Sequence, residues 1–153
     1  MRTFVAFGAA GGVPGAPPAA ATIRRRCVAF LRGRRLADGS WPIHPDDAEG
    51  HVLSTAYALA GLTACPGSLT SRELYDSVQV VLAAQGEDGG FRGGPDSLGP
   101  RPFVYDVPIL TTIYSLWALA RARDLLSGRG DEAGQGPRVR VAASGASPTS
   151  IAS

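Results

Sequence analysis

Apolar residues recur along this chain at the three-to-four-residue spacing of helices, in two alternating styles. The first predicted rod, 23–35, gathers Ile23, Cys27, Phe30 and Leu31 on one face, with Arg24, Arg25, Arg32 and Arg35 mostly elsewhere. Thr22 stands where a cap is needed. The second, 50–64, carries Val52, Leu53, Ala56, Tyr57, Leu59, Ala60 and Leu62 all round its axis. A helix of that kind is buried on several sides. The third opens on a capping box, Thr70-Ser71-Arg72-Glu73, with Leu69 placed to staple onto Leu74. It runs to about Ala84 with Leu74, Val78, Val81 and Leu82 on one face. The fourth, 107–127, is again apolar nearly all round: Ile109, Leu110, Ile113, Tyr114, Leu116, Trp117 and Leu119. Asp106 is a candidate cap and Gly128 a candidate stop. The predicted order is outer, inner, outer, inner.

Both outer helices run into a glycine turn that ends on an aromatic. Asp38-Gly39-Ser40-Trp41 and Asp88-Gly89-Gly90-Phe91 align fifty residues apart, and Gly86 offers a left-handed helix exit. Thr55-Ala56-Tyr57-Ala58-Leu59 aligns with Thr112-Ile113-Tyr114-Ser115-Leu116 at an offset of 57, so the second loop holds seven extra residues within 92–102. A period of about 50 residues predicts repeated helix pairs. Chance likeness in an Ala/Gly-rich chain is the alternative.

Composition narrows the partners. The 153 residues suffice for one domain with a modest core. A net charge of +2 demands neither nucleic acid nor a membrane surface. All fifteen basic residues are Arg, so an arginine excess at any one place carries little information. Cys27 and Cys65 are too far apart for a Cys-x-x-Cys site and too few for a disulfide framework, which makes a reducing cytoplasm the default. The apolar run 4–10 is too short to span a membrane. Residues 1–20, with Pro14, Pro17 and Pro18, read as a mobile leader, 21–128 as the folded domain, and 129–153, without apolar periodicity, as a disordered tail.

Gln85-Gly86-Glu87-Asp88-Gly89-Gly90-Phe91 resembles the Gln-to-Trp repeat of squalene–hopene and other terpene cyclases. Arg35-Leu36-Ala37-Asp38-Gly39-Ser40-Trp41 resembles it too, with Arg for the expected Gln. The resemblance implies that Asp38, Gly39, Trp41, Gln85, Asp88, Gly89 and Phe91 are structural, the aromatic tying neighbouring helix pairs together. Alternating outer and inner helices also resemble the α/α toroid of protein prenyltransferase β subunits, as does Ile113-Tyr114-Ser115-Leu116-Trp117. The implied fold is all-α: helical hairpins forming an arc of a toroid, over about 22–127. Such a toroid uses about six helix pairs and this chain encodes two, which implies a short relative, a fragment, or a second copy or partner chain completing the ring. The family's catalytic acids are missing: His51-Val52-Leu53-Ser54 stands where Asp-x-Asp-Asp precedes the Thr-Ala, and Thr111 and Ile113 stand where a prenyltransferase has zinc ligands.

Three clusters remain as candidate chemistry. Asp46 and Asp47, beside His44 and Glu49, could share a proton for general-acid work, or simply be a solvated loop favouring the next helix start. Tyr57, Tyr114, Trp117, Phe103 and Tyr105 could line an apolar pocket and face a carbocation, or be core. Arg24-Arg25-Arg26 with Arg32, Arg34 and Arg35 could hold a diphosphate, or be a solvated face. His44 and His51 lack metal-ligand spacing, the glycines at 89–94 lack the phosphate-loop ending, and no Ser-His-Asp set is present. No cofactor or metal is implied. Two functions follow: a cyclase- or prenyltransferase-like domain handling a polyprenyl or other apolar substrate, and a non-catalytic binding or assembly module.

Overall fold

The computed structural model describes residues 18–95 and 106–128. These residues form α1 (Pro18–Arg32), α2 (Val52–Thr63), α3 (Ser71–Ala83) and α4 (Pro108–Leu126). Among them the only strand-like pairing is an isolated bridge between Gln85 and Phe91. The fold is all-α, as the periodicity predicts. The expectations for residues 1–17 and 129–153, and those for Phe103 and Tyr105, lie outside the described residues.

α1 starts and ends earlier than the predicted 23–35. Pro18, assigned above to a helix-free leader, takes the first helical position. There its fixed φ fits and its missing N–H has no intrahelical partner to lose. Ala19, Ala20 and Ala21 then favour the helix. Thr22 therefore lies inside α1 and does not cap it.

α2 is the centre of the molecule. Every residue from Leu53 to Thr63 is buried, and four of them are Ala or Gly, which lets neighbours approach closely. α3 has the predicted capping box: Thr70 Oγ1 accepts from Glu73 N at 3.2 Å, and Thr70 N donates to Glu73 Oε2 at 2.8 Å. That backbone N–H is the main cause holding the Glu73 carboxyl below its ordinary range, with the Thr70 hydroxyl and Arg32 adding to it.

α4 departs from expectation at two places. Its cap position is Val107, with no side-chain hydrogen bond, and Pro108 leads the helix, so Asp106 is not the cap. Nor is it covered all round. Only Thr111, Ser115, Ala118 and Ala122 are buried, a stripe of small residues at helical spacing along one side. Ile109, Ile113 and Leu116 are 52–65% exposed. No further helix pair among the described residues covers that side.

The core divides into two clusters. Leu31, Trp41, Ala58, Leu62 and Cys65 join α1 to α2, and their burial pushes the Cys65 thiol up. Ala56, Leu59, Ala60, Leu74, Val81, Phe91, Ala118 and Ala122 join α2, α3 and α4. Each cluster holds an outer helix, the aromatic that follows it, and an inner helix.

Candidate functional site

The two glycine turns have the same hydrogen bonds. Asp38 Oδ1 accepts from Ser40 N at 2.9 Å, and Asp88 Oδ1 from Gly90 N at 3.0 Å. Leu36 N donates to Ser40 O at 2.9 Å, and Gly86 N to Gly90 O at 2.7 Å. The residue after each Asp has a left-handed backbone: φ is +94° at Gly39 and +79° at Gly89. Gly86 does not, so the predicted left-handed exit sits three residues later than expected. Each turn delivers an aromatic that is 1% exposed, and each aromatic N–H finds a threonine on the next inner helix. Trp41 N donates to Thr55 Oγ1 and Phe91 N to Thr112 Oγ1, both at 3.0 Å. Trp41 Nε1 also donates to Leu31 O at 2.7 Å. The sequence aligned Thr55 with Thr112 but assigned neither a role. The available signal was the recurrence of a threonine at the matching position of the two inner helices, 14 residues after Trp41 and 21 after Phe91.

The turns differ in what they touch. The first leans on α3: Arg35 Nη2 donates to Glu73 O at 3.1 Å and lies 3.7 Å from Asp76 Oδ2, with its guanidinium 5.9 Å from the Trp41 ring centre. Ser77 Oγ lies 2.7 Å from Gly39 O and 2.9 Å from Glu73 O and shares one proton between them. A Cβ on Gly39 would meet the Asp76 backbone at 2.9 Å. The second turn has Gln85 in the place of Arg35, and Gln85 Nε2 donates back within the turn to Gly89 O at 3.1 Å. Among the described residues, nothing lies within 4 Å of a Cβ on Gly89.

Three predicted pocket aromatics come together where the inner helices pack. The Tyr57 and Tyr114 rings meet edge to face at 4.4 Å, and Tyr114 and Trp117 at 6.0 Å. Tyr57 is buried; Tyr114 and Trp117 are half-buried. Such rings present π faces and C–H edges, with two phenol hydroxyls and no carboxylic acid among them. His51, at the start of α2, is buried. Its Nδ1 accepts from Ser54 N at 3.3 Å, which places the ring proton on Nε2. Nε2 is buried and has no hydrogen-bond partner among the described residues.

Asp46 and Asp47 lie apart from this group, exposed on the loop after Trp41. Asp47 Oδ2 accepts from His44 N at 2.9 Å, closing a turn. Arg32 and Arg35 are committed to α3, and Arg34 donates to Pro45 O at 2.8 Å. A cavity of about 520 Å³ opens on the outer side of α1, walled by Phe30, Leu31, Trp41, Pro42 and Ile43 and edged by Arg26. Among the described residues no group of three or more His, Cys, Asp or Glu side chains could hold a metal ion. No helix among them is long and apolar enough to cross a membrane.

The chain is related in sequence to enzymes of the terpene-cyclase type. It is 42% identical to the drimenyl diphosphate synthase of Streptantibioticus cattleyicolor over 126 residues, 80% of this chain and 23% of that protein. Over 97 residues, 63% of this chain and 18% of the relative, it is 37% identical to the drimenyl diphosphate synthase of Streptomyces showdoensis. The chain thus spans about a fifth of the length of the curated relatives it matches. No protein-family model matches it.

Proposed function

We propose that this chain is a helix-pair segment of a terpene-cyclase-like α/α toroid, its folded part beginning with α1 at Pro18, whose inner helices supply an apolar wall for a polyprenyl diphosphate or similar isoprenoid. The observation that carries this reading is the contact of Tyr57, Tyr114 and Trp117 along the two inner helices. The identity to two drimenyl diphosphate synthases supports it. The paired Asp-Gly turns support the structural half, with Trp41 and Phe91 as plugs that fix each outer helix to its inner one. The aromatic wall binds and shapes the apolar chain and stabilises positive charge on it through ring faces. It carries no carboxylic acid. Asp46 and Asp47 stand in solvent and take no part, and His51 occupies the place of the family's acids.

The expected behaviour is binding without turnover. Titration of the purified chain with polyprenyl diphosphates of graded length should quench tryptophan emission, and Trp117→Phe should remove most of that change while Trp41 still reports the fold. Mass spectrometry of the same mixtures should return the substrate unaltered. Absence of any saturable quench would overturn the binding role, and a cyclised product would restore a catalytic one.

A further inference from the structure

The geometry points to Arg121 of α4 as the residue that holds the diphosphate of an isoprenoid whose apolar chain lies on Tyr57, Tyr114 and Trp117. The inference rests on the wall proposed above and adds the group that gives the ligand its direction.

Spacing puts Arg121 on that wall. Tyr114, Trp117 and Arg121 follow one another at steps of three and four residues, which stacks them along one face of α4. The Tyr114 and Trp117 rings are 6.0 Å apart, and Arg121 is the next position along the same face. The rise from Tyr114 to Arg121 is about 10 Å. α2 and α4 run side by side in the same direction. At one end a Cβ on Gly93 would touch both Thr111 and Leu53, Tyr57 meets Tyr114 further along, and Cys65 and Leu125 line one hollow at the other end. Arg121 belongs to the Cys65 end: burial pushes the Cys65 thiol up, and the charges of Arg24 and Arg121 oppose it. The wall therefore has a direction, with rings along its length and a cation at the end away from His51.

The charge of Arg121 is uncompensated. Its Nε is buried without a hydrogen-bond partner, and Arg121 forms no ion pair among the described residues. Asp124, one turn further along α4, is taken by Arg123 at 2.8 Å. Two other half-buried arginines are committed, Arg34 to Pro45 O at 2.8 Å and Arg35 to Glu73 O at 3.1 Å. A guanidinium already partly stripped of water by its own fold loses less hydration when an anion arrives. Its planar fork of donors also matches the oxygens of a phosphate group. An amphipathic ligand with an apolar chain and a diphosphate at one end fits both halves of this arrangement.

Isothermal titration calorimetry of the full chain with farnesyl diphosphate and farnesol, which share one apolar chain, tests this. The parent should bind the diphosphate more tightly, and salt should weaken that binding and not the alcohol's. Inorganic pyrophosphate should compete with farnesyl diphosphate and leave farnesol in place, a measurement that needs no variant. Arg121→Gln should weaken diphosphate binding about tenfold and leave farnesol unchanged. Arg121→Lys should recover part of the loss, since a point charge lacks the planar fork. Farnesol bound without any preference for the diphosphate, pyrophosphate without effect, or an Arg121→Gln variant that weakens both ligands alike or neither would overturn the assignment and leave the wall standing. Binding of neither ligand by the parent would overturn the wall, and the assignment with it.

Discussion

Trp41 and its acceptors are where single atoms matter most. The ring fills the α1–α2 cluster, and both its N–H groups are satisfied inside the protein. Trp41→Ala should cost about 3–5 kcal/mol, read by chemical denaturation. Thr55→Val keeps the volume and leaves the Trp41 backbone N–H buried and unpaired, a loss of about 1–3 kcal/mol. The two turn glycines provide a paired control. Alanine at Gly89 meets only the left-handed backbone penalty, about 1–2 kcal/mol. Alanine at Gly39 meets that penalty and the Asp76 backbone as well, so it should lower the midpoint further. Equal losses at the two sites would mean that the first turn is not pressed against α3. At this scale the sequence was legible in residue types: Asp, Gly and aromatic recur in order. It was silent on Thr55, Thr112 and Ser77, because a hydroxyl's acceptor or donor depends on a distant segment that only the folded chain brings near.

Helices and turns carry the pH dependence. Hydrogen bonds from the Ser40 hydroxyl and backbone N–H hold the Asp38 carboxyl below its ordinary value, as the Thr70 backbone N–H holds Glu73. A folded-state pKa below the unfolded one adds stability above the unfolded value, near pH 4, and that stability is lost as pH falls through the folded value. The thermal midpoint should therefore drop as pH is lowered from about 5 towards 3. Asp38→Asn should flatten part of that slope; an unchanged slope would remove Asp38 from the account. Thr70→Ala should cost about 1 kcal/mol at neutral pH through loss of the cap. Helix number and order were readable because the apolar spacing is strong in all four. The start of α1 was misplaced because Pro18 was weighed as a breaker, although proline in a first turn is compatible with a helix. The cover on α4 was overestimated for a different reason. An apolar circumference records what a helix can bury, and the neighbours needed to bury it are not all among the described residues.

At the level of the whole molecule, the described residues form two helix pairs around one central helix, α2, and among them nothing covers one side of α4 and one side of α1. The relatives are more than four and more than five times as long as the segments they match, at 23% and 18% of their lengths. The candidate site was partly legible: the aromatics were singled out from their place on the inner helices, and three of them meet. The acid assignment came from density of charge along the chain, which does not report burial, and the loop carrying Asp46 and Asp47 faces water. The central claim is that the inner helices form an isoprenoid-binding wall. A crystal structure of the chain with a non-hydrolysable polyprenyl diphosphate analogue tests it most directly. The account predicts density for the apolar chain against Tyr57, Tyr114 and Trp117; a ligand seated only in the α1 cavity, or none at saturating concentration, would contradict it.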